Sequence, residues 1–444
     1  MKQNNNNKLA VKMLIAMLAG IGVGLVFMFI RESMGADSAL WQTINKVLFQ
    51  DITAEGAQSA IGLFYICGQM FVKALQLVIV PMVFSSIVMA IAEISEASTL
   101  GRISAKTIGW FMTTTGCALT FGGAVSFICY KLGLFNVVIE GVTASTGSTG
   151  SNPLNVILNI IPSNIVQVFS SNGSVLSIVF LAVVIGLALN VTKMGKGSAI
   201  YKVCEEISHI IVVFLNFVVN KFGPVAIFML LSRTFATYGI SYLKPAAAYF
   251  VLCFVLLLIF LFAFYPLVLA AKTKLSPVIF IKKIFKVIVF GFSTSSSAAT
   301  LPLNMDVTTK EFGVDNQIAS FVLPLGMTVN MDGTAIMQVV ATLFVASAGG
   351  FDVSLFQLVM IMVLALIASV GTPAAPGAGA VVLFTILSGV GFTNETALIA
   401  YTIILAINRP IEMLVTSLNV VGDSTTAIVV AKSEGKLNED IYNA

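Results

Sequence analysis

A single histidine, His209, occurs in the whole chain. That removes paired-histidine redox ligation and histidine-pair zinc proteolysis, which need two imidazoles, and leaves one residue to serve any histidine-based triad. Cysteine is sparse too. Cys67, Cys117, Cys129, Cys204 and Cys253 stand singly, in or beside apolar segments, without C-x-x-C spacing. Neither a disulfide framework nor a zinc site is expected from that pattern. Charged residues make up only 10% of the chain, against roughly 25% in a soluble domain. No polar stretch is long enough to build even one soluble domain, so the 444 residues read as a single membrane unit. The net charge of +4 comes from short basic clusters beside apolar segments, which is the pattern of cytoplasmic loops, not of a nucleic-acid surface.

What the chain has is hydrophobicity. Apolar residues make up 58% of it and the mean hydropathy is +0.99, which predicts an all-α polytopic membrane protein. Apolar stretches fall at residues 9–30, 61–92, 105–135, 153–192, 205–235, 243–271, 316–348 and 394–430, giving eight transmembrane spans. About 20 residues cross the hydrocarbon core, so the longer stretches must be tilted, broken or extended beyond it. Lys2, Lys8 and Lys12 precede an apolar run, Met13 to Ile30, that is too long for a signal peptide and has no cleavage site after it, so it reads as an uncleaved first span. The clusters Lys193/Lys196/Lys202 and Lys272/Lys274/Lys282/Lys283/Lys286, with Lys432 and Lys436, lie on the same side as the N-terminus if the spans alternate. By the positive-inside rule both termini are cytoplasmic. The Ser/Thr/Gly-rich stretch 141–152 then falls outside as a loop.

Two further segments, 276–303 and 352–391, are apolar at their ends and interrupted in the middle. The first turns at Ser293-Thr294-Ser295-Ser296-Ser297 and the second across Gly371 to Gly379, where Pro373 and Pro376 forbid a continuous helix. The alternation of spans holds only if both segments enter and leave on one side, as re-entrant hairpins. Interrupted segments in corresponding positions of two halves point to a transporter site, where half-helix ends and unwound carbonyls meet. One hairpin enters from inside and the other from outside, which makes the repeat inverted. Taken alone, the serine cluster also fits plain interhelical packing.

Each hairpin is followed by a long apolar helix with polar residues inside it: Asn330 and Asp332 in one, Asn419 and Asp423 in the other. A carboxylate at the centre of a membrane helix costs on the order of 3 kcal/mol, so it persists where it pairs, binds an ion or lines a wet cavity. Gly333 beside Asp332 is expected to let the helix open locally, and Asn-x-Asp-Gly reads as a cation site. In the last span Asn408, Glu412, Val415, Thr416, Asn419 and Asp423 share one helical face. A polar seam between helices is the plainer reading of that face, and its carboxylates cannot look at lipid.

Taken together, Ser296-Ser297, Leu323 to Thr334 (LPLGMTVNMDGT), Ser369 to Gly379 (SVGTPAAPGAG) and Asn419 to Asp423 (NVVGD) resemble the dicarboxylate/amino acid:cation symporter family, closely over 290–435 and more loosely from residue 8. The resemblance implies a homotrimer working as an elevator. A scaffold domain would comprise 1–105 and 136–240 (spans 1, 2, 4 and 5), and a transport domain 106–135 and 241–435 (spans 3, 6, 7 and 8 with both hairpins). It also implies about three Na⁺ sites built of hard oxygen ligands. One would use Gly326, Asn330, Asn419 and Asp423. A second would use Thr328, Ser369, Val370 and Thr372, with the Met331 sulfur nearby. The third would use Thr114, Thr115, Asn330 and Asp332, with Phe111 standing where the family has a tyrosine that contributes a backbone carbonyl.

By the same resemblance the substrate would sit between the hairpin tips, against Ser296, Ser297, Thr334, Val370, Gly371, Thr372, Pro373, Ala374, Glu412, Val415, Thr416 and Asn419. Glu412 replaces the family's aspartate for the substrate ammonium. Val415 replaces the arginine that clamps an acidic side chain, and Asn408 replaces another aspartate. Ser295 stands where some relatives carry a compensating arginine. Valine cannot pair with a carboxylate. The expectation is therefore a Na⁺-coupled symporter of a neutral amino acid in the cell membrane. The alternatives are an acidic amino acid or dicarboxylate symporter using Arg409, coupled to Na⁺ or to protons, and an ion channel. The serine tip has no histidine or placed lysine beside it, so no enzyme is expected.

Overall fold

The computed structural model describes residues 2–53, 56–96, 101–136, 161–170, 175–192, 194–370, 372 and 378–444. The expected outer loop at 141–152 and most of the second hairpin's tip, including Gly371, Pro373 and Ala374, lie outside them. Among the described residues the regular structure is helical, with one isolated antiparallel bridge between Val314 and Leu437. The helices are α1 (Lys2–Met34), α2 (Ala39–Leu48), α3 (Leu63–Leu77), α4 (Ile79–Glu96), α5 (Gly101–Lys131), α6 (Ile165–Phe169), α7 (Val175–Val191), α8 (Ala199–Phe217) and α9 (Gly223–Tyr238). There follow α10 (Leu243–Ile259), α11 (Tyr265–Thr273), α12 (Pro277–Thr294), α13 (Ser297–Lys310), α14 (Asn316–Val329), α15 (Asp332–Ala348), α16 (Leu355–Val370), α17 (Ala378–Val390), α18 (Glu395–Ile407), α19 (Arg409–Ser433) and α20 (Glu439–Asn443).

Proline sets several of the interruptions. A proline nitrogen cannot donate to the carbonyl four residues earlier, and its ring crowds that carbonyl. The second span breaks at Val78, just before Pro81. The fifth and sixth spans instead slip into single π-turns, Val218–Phe222 ahead of Pro224 and Phe260–Phe264 ahead of Pro266. A π-turn absorbs the lost bond without ending the helix. The eighth span divides at Asn408, two residues before Pro410.

Among the described residues, five spans are long and apolar enough to cross a membrane: Ile15–Met34, Arg102–Lys131, Lys244–Thr273, Asn316–Ala348 and Arg409–Ser433. The last two are also the most enclosed, each 94% buried over its apolar window. They form the centre of the molecule. α12, α13 and α14 pack around α19, while α5, α10, α16, α17 and α18 pack around α15, and α15 lies against α19. Elsewhere α1 and α3 pack on α9, and α4 on α7 and α8.

The first interrupted segment is the antiparallel pair α12/α13, and the second is α16/α17. At 16 and 13 residues, neither α16 nor α17 reaches the ~20 residues that a perpendicular crossing needs, which is the dimension of a re-entrant arm. The first tip is narrower than the serine cluster suggested. Ser293 and Thr294 are still helical, and the turn consists of Ser295, in the left-handed region at φ +49, and Ser296, whose hydroxyl caps Ala299 N–H at 3.3 Å.

The opening of the seventh span also differs from expectation. It falls at Asn330 and Met331, and Gly333 is already helical in α15. What Gly333 provides is proximity: a Cβ there would meet Val415 O at 3.0 Å and Asn419 Oδ1 at 3.1 Å. The two halves echo each other in residue type more than in backbone, because Asn419 and Asp423 sit inside the unbroken α19.

The C-terminal segment folds back over the base of the first hairpin. Asn438 N–H donates to Gly313 O at 2.9 Å, and Asp315 N–H to Lys436 O at 3.1 Å. Phe280, Phe312 and Tyr442 stack in sequence, Tyr442 donates to Ser276 O at 2.8 Å, and Lys283 donates to the carbonyls of Glu311, Ile441 and Tyr442. Just past α19, Glu434 receives Arg102 and Lys106 from the start of α5. Hydrogen bonds from Arg102 and then Lys106 hold its carboxyl at about 2, well below the usual carboxylate range. A depressed carboxyl stabilises the fold above its unfolded pKa and loses that contribution as pH falls through the folded one. The thermal-shift difference between wild type and Glu434→Gln is therefore expected to stay level from neutral pH to about 5 and to vanish as pH falls from the unfolded value of 4.5 toward 2.

Candidate cation and substrate site

The break between α14 and α15 carries Asn330 into the space between those helices and α19. Its Nδ2 donates to Asp423 Oδ1 at 2.9 Å and to Asn419 O at 3.2 Å. Asp332, the first residue of α15, accepts from Thr115 Oγ1 of α5 at 2.5 Å and from Tyr265 Oη of α11 at 2.8 Å. Asn330, Asp332 and Asp423 are each no more than 2% exposed. Among the described residues, Asp332 is held by hydroxyls and Asp423 by an amide, and no cationic side chain pairs with either. Two carboxylates so enclosed call for positive charge from elsewhere, since unpaired buried ions cost several kcal/mol each.

The donor set suits a small hard cation. Asn330 Oδ1 is buried with no hydrogen-bond partner, an acceptor left over among acceptors. At Gly326 a Cβ would lie 2.3 Å from Asp423 Oδ1 and 3.0 Å from Phe111 Cζ, so only glycine leaves the carboxylate room there. Oxygen-only surroundings of carboxylate, amide and backbone favour an alkali cation over a transition metal.

The sequence-predicted residues gather unequally. Asn330, Asn419, Asp423, Gly326 and Phe111 come together, as do Thr115 and Asp332. Thr114 Oγ1 donates to Phe111 O at 3.2 Å and also reaches the Asp332 carboxylate, so it joins Thr115 and Asp332. Thr328, Ser369 and Thr372 show local bonds: Thr328 to Leu325 O, Ser369 to Leu366 O and Thr372 to Ala368 O. α14 does pack against α16, which carries Ser369 and Val370. The Met331 sulfur receives Asn419 Nδ2 at 3.2 Å and Thr334 Oγ1 at 3.7 Å.

Beside the cation cluster lies a second polar pocket. Asn419 Oδ1 accepts Gly333 N–H at 2.8 Å, and its Nδ2 also approaches Thr334 Oγ1 at 3.3 Å. Val415, Thr416 and Glu412 continue along α19, all 9% exposed or less. Glu412 Oε1 accepts Ala380 N–H of α17 at 3.3 Å, which brings the second hairpin against this helix. Arg409 Nη1 stands 3.7 Å from Glu412 Oε2, and the Arg409 Nε and Nη1 are buried without hydrogen-bond partners. Asn408 accepts Tyr249 Oη at 2.7 Å, so the position where the resemblance puts an aspartate is here a neutral acceptor for a phenol. Ser297 is buried at the start of α13.

The sequence profile of the sodium:dicarboxylate symporter family matches residues 9–433. The chain belongs to this family. Among curated relatives, the proton/glutamate-aspartate symporter of Escherichia coli (strain K12) is 29% identical over 450 residues, covering 98% of this chain and 95% of that protein. The proton/sodium-glutamate symport protein of Bacillus caldotenax is 30% identical over 384 residues, covering 84% and 88%. A C4-dicarboxylate transport protein of Bacillus subtilis (strain 168) is 27% identical over 379 residues, with the same coverage. The chain is a multi-pass membrane transporter, a cation-coupled symporter and not an enzyme.

Two groups at this site escaped the sequence reading. Tyr265 sits in an apolar run with nothing around it to mark it, and only the fold carries its hydroxyl to Asp332. Asn304 of α13 donates to Val420 O at 3.0 Å and accepts Ser424 Oγ at 2.5 Å, tying the first hairpin to α19. Its Asn/Thr spacing with Thr300 and Thr308 on one helical face was the available signal. A hydrogen bond to a charged group contributes about 1.5–3 kcal/mol, so Tyr265→Phe is expected to raise the half-saturating cation concentration for transport at least about tenfold. A cation titration of uptake at saturating substrate measures it.

Proposed function

We propose that this symporter carries an acidic amino acid, with Na⁺ as the coupling ion. One observation carries the substrate assignment: the Arg409 guanidinium is 8% exposed, its Nη1 is ion-paired with Glu412 Oε2 at 3.7 Å one helical turn away, and neither Nε nor Nη1 has a hydrogen-bond partner. A buried arginine fork with open donors is suited to a carboxylate. Glu412 next to it suits an ammonium, so the pair reads a substrate bearing both groups. A dicarboxylate without an ammonium would leave Glu412 facing a second negative charge. The α-carboxylate then falls to Asn419, Thr334 and Thr416 and to the hairpin tips around Ser296, Ser297 and Thr372.

This departs from the neutral substrate that the loss of the family arginine at Val415 suggested. The counter-charge sits six residues earlier on the same helix, and relatives named for glutamate, aspartate and C4-dicarboxylates favour an anionic cargo. Val415 keeps the neutral reading alive as the second one, because its side chain, 6% exposed, offers the pocket no polar group.

Asp332, Asp423 and Asn330 support Na⁺ coupling through the first and third ligand sets described above. The set of Thr328, Ser369, Val370 and Thr372 belongs to the same proposal, as do the homotrimer and an elevator movement. α1 and α3 pack on α9, and α4 on α7 and α8, more extensively than any of them packs on α12, α17 or α18, which supports a separate scaffold.

Purified protein in liposomes is expected to take up aspartate or glutamate under an inward Na⁺ gradient. Removing one partner of a buried charge pair costs about 2–5 kcal/mol, so Arg409→Met should lower acidic uptake by about 30-fold or more. Competition by serine or alanine, with aspartate and glutamate inert, would sink the acidic reading and restore the neutral one. Asp423→Asn is expected to abolish Na⁺ dependence; retention of gradient-driven uptake, with a proton gradient replacing Na⁺, would show proton coupling instead.

A further inference from the structure

The two buried carboxylates of the cation cluster are treated unequally. Three hydroxyls reach Asp332: Thr115 Oγ1 at 2.5 Å, Tyr265 Oη at 2.8 Å, and Thr114. Asp423, just as enclosed, has one side-chain donor among the described residues, the Asn330 amide at 2.9 Å. The hydroxyls that follow Asp423 in the sequence are committed elsewhere: Ser424 Oγ donates to Asn304 Oδ1 at 2.5 Å, and Thr425 Oγ1 to Val421 O at 2.8 Å. An ionised carboxylate offers about four lone-pair sites. Three are filled at Asp332 and one at Asp423, so the more open charge is that of Asp423.

Beside Asp423, where a further hydroxyl could stand, the chain places Phe111. This residue lies one turn before Thr115 on α5, so one face of that helix carries both the hydroxyl that serves Asp332 and the ring that approaches Asp423. The ring is fully buried. Its outermost carbon, Cζ, and the Asp423 carboxylate converge on one point at Gly326, where a Cβ would be 3.0 Å from Cζ and 2.3 Å from Asp423 Oδ1. A ring whose tip meets an anion presents its positive rim, not its negative face. That contact fills no lone pair. A hydroxyl on Cζ, which is all that separates tyrosine from phenylalanine, would bring a proton donor to the same point with Asp423 Oδ1 beside it.

We propose that the Phe111 side chain sets the affinity and ion selectivity of the site at Asp423: by holding hydrocarbon where a hydroxyl would fit, it keeps this carboxylate short of donors and leaves its charge for the coupling cation. Gly326 serves the same end from α14. The glycine provides the room, and the ring keeps a competing donor out of it. Selectivity by size follows, because the space bounded by Gly326 and the ring limits which dehydrated ion is accepted. This role for Phe111 rests on the reading of Asp423 as a cation ligand.

Thermal unfolding of the full-length protein in detergent, titrated with NaCl or LiCl against choline chloride at constant ionic strength and without amino acid, measures cation binding apart from transport. Phe111→Tyr is expected to raise the Na⁺ concentration at half-maximal shift about tenfold or more, since the ion must displace a hydrogen bond to the carboxylate. In choline alone this variant should melt no lower than wild type, because the added hydroxyl satisfies a buried charge. The hydroxyl also takes space, so the Na⁺ midpoint should rise more than the Li⁺ midpoint. Phe111→Leu adds no donor; it is expected to move the Na⁺ midpoint by no more than about threefold, and it serves if the tyrosine variant does not fold. A Na⁺ midpoint within about threefold of wild type in Phe111→Tyr, or a rise of about tenfold in Phe111→Leu, overturns the role of the withheld hydroxyl. So does an equal rise for Na⁺ and Li⁺ in a tyrosine variant that melts lower in choline, which is the mark of a damaged core. If wild type itself shows no shift with any alkali cation, the reading of Asp423 as a cation ligand fails, and the role of Phe111 with it.

Discussion

Two carboxylates, Asp332 and Asp423, lie fully inside the protein with only hydroxyl and amide hydrogens for company. Their mutual repulsion and their desolvation are relieved by taking up positive charge, whether as a metal cation or as a proton. The surrounding structure follows from that constraint. The chain unwinds at Asn330 and Met331 so that an amide can reach Asp423, Gly326 leaves room for the carboxylate, and α19 runs unbroken past the cluster so that Asn419 presents backbone and side chain together. Asn419 belongs both to this cluster and to the polar pocket beside it, so the two proposed sites meet at one side chain.

Much of this was legible in the sequence because membranes punish the wrong residue severely. An aspartate beside asparagine and glycine in an apolar run has few explanations, and proline pairs among glycines forbid a helix. Asp332, Asp423, Asn330 and the two interrupted segments were accordingly singled out from residue type and spacing. What escaped was whatever depended on distance in three dimensions. Tyr265 is one tyrosine in an apolar run, and Asn304 one asparagine in a mixed helix. Neither breaks a rule of composition, and each acquires meaning only from the backbone atom or carboxylate opposite it. Gly333 shows the converse error: glycine beside a charge suggested unwinding, whereas its lack of a side chain is used for contact with α19.

The same limit applied to Val415. Position-by-position comparison finds an arginine missing and infers a missing charge. The helix supplies a guanidinium a turn and a half earlier, beside Glu412, and the fold encloses it with donors unused. Specificity in such a pocket is a matter of where charge lies in space, and a helix offers more than one residue number from which to place it.

The folded-back C-terminus has a mechanical consequence. Lys283 joins the first hairpin's outer arm to three backbone oxygens at once, two of them within the last four residues of the chain, and Tyr442 fills the aromatic stack at that arm's base. The hairpin root and the far end of α19 are thereby fastened into one body. Any displacement of the first hairpin's root would have to carry the end of α19 with it.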